Sequence, residues 1–234
     1  MKKLVIFILI LPALLFMWRG CYSPVIVSEP FEAWVVEEES GKPLEGAIVV
    51  AEWSLYEATG HGHRLREMVD VQETVTDQNG RFAFPGFTIQ NWKLYELQNG
   101  PKVTIFKPGY KYQVRRTHCG SSGGDCPWAR RISPVAGKQV KLKKLEYEKA
   151  QKTDETRNSY HRTLYGGLST EMDDVLSSCN SKKIAQLLTK ADEEAERLSR
   201  MGFVGRNSLP SVAQLDRYKH ICSFGKEVLE IDRK

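Results

Sequence analysis

Gly120-Ser121-Ser122-Gly123-Gly124 has the G-x-S-x-G pattern of serine hydrolases. A nucleophile elbow needs a strand before the serine and a helix after it. Here the motif lies in a glycine-rich stretch bracketed by Cys119 and Cys126. His118 and Asp125 are adjacent in sequence, whereas triad partners are normally distant. The segment reads as a loop closed by a disulfide, and no catalytic residue is assigned in it. His61-Gly62-His63 places two imidazoles on one short segment, and with His118 they make a candidate set for zinc or copper. No His-x-x-Glu or His-Glu-x-x-His motif accompanies them, so no metal or other cofactor is assigned. Trp92, Tyr95 and Trp128 join His61, His63 and His118 as candidate ligand-binding residues, suited to a glycan platform. Trp34 and Trp53 are expected in the core. The charged stretch 190–200 reads as a solvated helix face.

These residues need a scaffold, and the chain spells one. Seven strands are expected at 31–37, 47–55, 66–76, 81–88, 102–106, 111–116 and 138–145. Val140 and Leu142 alternating with Lys141 and Lys143 is the clearest period of two. Turn chemistry separates them. Asn79-Gly80 tolerates the positive φ of a tight hairpin. Lys107-Pro108-Gly109 fixes φ at the proline and frees it at the glycine. Gly41-Lys42-Pro43 does similar work. If successive strands alternate in direction, these three short turns share one end of a sandwich. The connections 56–65, 89–101 and 117–137 then share the other end. That long-loop end holds every candidate ligand-binding residue, and long loops are more often functional than short ones.

Three phrases in this order, Gly41-Lys42-Pro43-Leu44-Glu45-Gly46, Thr76-Asp77-Gln78-Asn79-Gly80-Arg81 and Phe106-Lys107-Pro108-Gly109-Tyr110, resemble the carboxypeptidase regulatory-like (transthyretin-like) β-sandwich domain over about residues 31–145. The resemblance implies a carrier or binding module. The catalytic zinc motif of carboxypeptidases that carry this domain is missing.

After Leu145 helix formers dominate. Ile184, Leu187, Leu188, Ala191, Ala195, Leu198 and Met201 recur at helical spacing over 181–201. Another helix is expected from Pro210, with Val212, Leu215, Tyr218, Cys222 and Leu229 on its apolar stripe. Two more are expected at 154–165, stopping at Gly166-Gly167, and at 170–179, capped by Thr170 and Asp173. The expected class is α+β: an antiparallel seven-stranded sandwich at 31–146, then a helical domain at 147–234.

Lys2 and Lys3 precede an apolar run over 4–18, which fits a signal segment and is shorter than the roughly 20 residues that span a bilayer. Gly20-Cys21 resembles a bacterial lipoprotein processing site, although Trp18 and Arg19 depart from that pattern. Three readings stay open for 1–21: acylation at Cys21, cleavage elsewhere, or an uncleaved anchor. Each places the body outside the cytoplasm, on the periplasmic side of the envelope, with 22–30 as a tether. With Cys21 set aside, four cysteines remain, an even number suited to two disulfides in an oxidising compartment. Three connectivities are open, and local pairing, Cys119–Cys126 and Cys179–Cys222, is preferred. The net charge is +5, and without the signal segment +2, so no nucleic-acid footprint is expected. The function expected is an exported, membrane-tethered, non-enzymatic binding or assembly module with an unknown envelope protein or glycan as partner. The alternative is a glycan- or metal-binding protein using the long-loop end, and the third reading is a hydrolase.

Overall fold

A computed structural model describes residues 25–59, 62–90, 96–97, 100–116, 133–147, 154–202, 209–218 and 222. The fold is α+β: among the described residues two of three sheets pack face to face in a sandwich-like arrangement, with helices on the outer face of one. The first sheet has the order β10 (Gln139–Leu142), β2 (Phe31–Glu37), β5 (Arg81–Phe84). The second runs β4 (Gly62–Val75), β3 (Ile48–Thr59), β8 (Lys102–Phe106), β9 (Gln113–Arg115), with β7 (Glu96–Leu97) also paired to β3. Ala33, Val35, Phe82 and Phe84 from the first sheet meet Val49, Ala51, Trp53, Val103 and Ile105 from the second in one buried cluster. Trp53 is 1% exposed, as expected of a core residue. Trp34 differs: it alternates onto the other face of β2 and is half-buried.

The pairing is not purely antiparallel. β10 lies parallel to β2, with Gln139 opposite Trp34 and Leu142 opposite Glu37. The expected strand over 81–88 is broken into β5 and β6 (Phe87–Gln90). β6 pairs with an unexpected strand, β1 (Val25–Ser28), inside the expected tether. Phe31 faces Phe84 and Ser28 faces Phe87, so the β1–β6 ladder continues β2–β5 in step across the break. Pro30 and Pro85 lack the N–H groups to bridge it. Gly86 lets the chains touch there, since a Cβ would lie 2.7 Å from the Ser28 carbonyl oxygen.

The short turns do converge. Val35 N donates to Gly80 O at 2.7 Å and Leu44 N to Val35 O at 2.9 Å. Thr76 Oγ1 donates to Leu44 O at 2.6 Å and accepts from Ala47 N at 2.8 Å. Lys107 Nζ reaches Glu45 O at 2.6 Å, and Tyr110 Oη reaches Glu37 Oε1 at 3.1 Å. Gly80 needs its φ of 69° here, and a Cβ would sit 2.3 Å from Val35 O.

At the other end the connection expected over 56–65 is not a long loop. β3 and β4 stay paired out to Thr59 opposite Gly62, with two residues between them. Register shifts at Trp53/Ser54 and Leu55/Tyr56 interrupt the alternation. Bulges of this kind hide a strand from a period-two reading.

The C-terminal part covers the sheet. α1 (Asp154–Ser177) runs unbroken through Gly166-Gly167 and through the expected cap at Thr170. Gly167 is needed for contact and not for termination: a Cβ there would lie 2.1 Å from Tyr112 Oη. A 3-10 turn (Ser181–Ile184) leads into α2 (Ala185–Arg200), and a second 3-10 segment (Val212–Tyr218) stands where a helix was expected from 210. Leu168, Met172, Val175, Leu176, Leu187 and Leu188 share a buried cluster with Ile48, Val50, Val71 and Phe106 of the second sheet. One apolar core therefore crosses the expected boundary at residue 146. Each such side chain contributes roughly 1.5–3 kcal/mol on burial. Cys179 and Cys222 are bonded, with Cα atoms 5.4 Å apart. Cys179, two residues past the end of α1, has φ 61°, a left-handed conformation rare outside glycine.

Candidate functional site

β3 is buried on both faces, so its alternation puts Val49, Ala51 and Trp53 toward the sandwich core and Ile48, Val50 and Glu52 toward the helices. Glu52 is the anomaly: a carboxylate 3% exposed in a layer that is otherwise apolar but for Thr104. Its cross-strand neighbour on β8 is Lys102. Lys102 Nζ lies 2.7 Å from Glu52 Oε2, donates to Glu171 O of α1 at 2.7 Å, and stands 3.7 Å from Glu171 Oε2. Arg116, just past β9, pairs with the same Glu171 carboxylate. Among the described residues, Glu52 Oε1 is buried with no hydrogen-bond partner. Burial drives the Glu52 carboxyl up to about 7. Lys102 opposes that shift, and the negative Asp174 and Glu171 add to it. Three carboxylates thus face two cations, and a proton on Glu52 balances the set. Tyr56, on the same strand, is raised by burial and by Asp174.

Two further carboxylates join helix to sheet or helix to helix. Glu73 of β4 accepts from Gln186 N at 3.0 Å and Leu187 N at 2.8 Å. It supplies the cap that α2 lacks from its own sequence, since Ile184 makes no side-chain cap bond. Burial raises the Glu73 carboxyl against the pull of those two bonds. Glu194 of α2, 1% exposed, accepts from Tyr147 Oη at 2.8 Å, Tyr165 Oη at 3.1 Å and Arg197 Nε at 2.7 Å. Arg197 also stacks over the Tyr147 ring at 4.6 Å. Burial, then the Glu194 charge, keeps Tyr147 protonated.

Chemically, the Glu52 group can hold or release a proton and can anchor α1, but it presents no exposed face to a substrate. Among the described residues no group of three or more His, Cys, Asp or Glu is placed to hold a metal. His61, Trp92, Tyr95, His118, Trp128, Cys119, Cys126 and Cys21 lie outside the described residues. His63 stands on β4 opposite Ala58, near the hairpin tip. What the structure does bring together is the set of strand ends leading into those segments. Gln90 ends β6, Lys102 begins β8 and Arg115 ends β9, all opposite the short turns. Glu52, Lys102 and Glu171 were not picked out from sequence. The available signal was one carboxylate in a strand apolar on both faces, which requires a buried counter-ion.

No family model matches the chain, and no curated protein matches it. Among solved structures, a 9R-lipoxygenase from Cyanothece PCC8801 aligns with 74% of this chain and 28% of its own length, at 12% identity and a TM-score of 0.25. That score supports no argument about fold or activity. Among the described residues no helix is long and apolar enough to cross a membrane. The Cys179–Cys222 bond is compatible with a body outside the cytoplasm.

Proposed function

We propose that this chain is an exported, membrane-tethered, non-enzymatic binding or assembly module of the bacterial envelope, built on a transthyretin-like seven-stranded sandwich. The observation that carries this reading is where the buried charges go. Glu52, Glu73 and Glu194 are each engaged in fastening helices to the sheet or to one another. The result is a braced body, with the connections after β6 and β9 leaving from the end opposite the short turns, the design of a presenting scaffold. The partner is an envelope protein or glycan, taken at the long-loop end. A second reading, a glycan or metal site on the same loops, is favoured by the shared end of β6, β8 and β9. Photo-crosslinking in solubilised envelope tests the proposal. Alanine at Trp92, Trp128, His61 and His63 should weaken capture of a crosslinked partner while sparing folding. Intact capture in those variants, with loss on substitution of Lys190 and Glu193, would move the site to α2 and overturn it.

A further inference from the structure

We infer that the long-loop end of the sandwich sits against the bilayer headgroups and that the short-turn end points away from the membrane. The inference rests on the membrane-tether reading above and names what that end faces. Its basis is strand direction and chain length. β1 starts at Val25, which pairs with Gln90, the last residue of β6. The β1–β6 ladder continues β2–β5 in register, and β5 begins directly after the Asp77–Gly80 turn. Val25 therefore lies at the opposite end from the short turns, separated from them by about 30 Å of strand at ~3.3 Å per residue.

The tether is shorter than that. If Cys21 carries the anchor, four residue steps reach Val25, at most about 14 Å of fully extended chain. If residues 4–18 stay in the membrane, seven steps reach it, at most about 25 Å. Neither length lets the body invert.

The test uses the full chain reconstituted in vesicles of phosphatidylethanolamine and phosphatidylglycerol carrying a headgroup-nitroxide lipid. A fluorescent unnatural amino acid is placed at Gln90 in one sample and at Asn79 in another. Both positions are exposed, so labelling leaves the core untouched. Gln90 fluorescence should be quenched several-fold more strongly than Asn79 fluorescence. Equal quenching, or stronger quenching at Asn79, would overturn the orientation while leaving the tether standing. Failure of the chain to float with the vesicles would overturn the tether reading and the orientation with it.

Discussion

Replacing Glu52 with Gln should make the protein more stable at pH 8, although it removes half of a buried ion pair. The folded protein holds the Glu52 proton up to about pH 7, whereas an ordinary carboxyl releases it near 4.5. Between those values the folded state binds one more proton than the unfolded state, so stability falls as pH rises. At about 1.4 kcal/mol per pH unit, the loss across that window is about 3 kcal/mol. Below pH 4.5 both states are protonated and the penalty vanishes. Gln mimics the neutral acid and should flatten this slope. Lys102 is not stranded by the change, because it keeps Glu171 O at 2.7 Å and the Glu171 carboxylate at 3.7 Å. Burying an ion pair often costs more than its attraction returns. Urea unfolding followed by circular dichroism at pH 4.5 and pH 8 measures the difference. The E52Q protein should match the wild type at pH 4.5 and exceed it by up to about 3 kcal/mol at pH 8. If E52Q is the less stable protein at pH 8, the Glu52–Lys102 pair is a net stabiliser and the reasoning fails.

Three more outcomes are expected. Changing Cys179 and Cys222 together to Ala opens a closed loop of 43 residues and should lower stability by up to about 4 kcal/mol, read from the urea midpoint. Glu73→Ala should cost about 1–2 kcal/mol by uncapping α2, with Glu73→Gln costing less because it keeps one acceptor; equal stability of all three proteins would show the cap to be idle. Non-reducing peptide mapping should find Cys119 joined to Cys126, and two free thiols there would remove the second disulfide.

The short turns were legible because each depends on local chemistry: Asn79-Gly80, Pro108-Gly109 and Gly41 announce themselves within four residues. The Cys179–Cys222 pairing was legible from export and spacing. Strand direction was not. Val140 and Leu142 alternate identically whether β10 lies parallel or antiparallel to β2, so the parallel pairing left no trace in the pattern. The outer β3–β4 hairpin looks like a loop in sequence because two bulges and Gly60 and Gly62 break the alternation. α1 was split in two because Gly166-Gly167 looks like a stop. Only Tyr112, distant in sequence, shows why a glycine belongs at position 167. Glu52 is hidden in the sequence for a related reason. Reading the helices as a separate domain left the outer face of β3 facing water, where a carboxylate is ordinary.

The parallel pairing of β10 with β2 also bears on how the chain reaches its folded state. Trp34 is among the first residues of the sandwich; Arg81 flanks it on one side, but its neighbour on the other exists only when Gln139 is present. Until then one flank of Phe31–Glu37 carries unpaired N–H and C=O groups, a template for pairing with another chain. Closing so long a loop adds little to the equilibrium cost but slows the search. A chain emerging N-terminus first thus spends most of its synthesis or translocation with that flank open. Fragments ending before β10 should be the aggregation-prone ones, whatever the length of sandwich they contain.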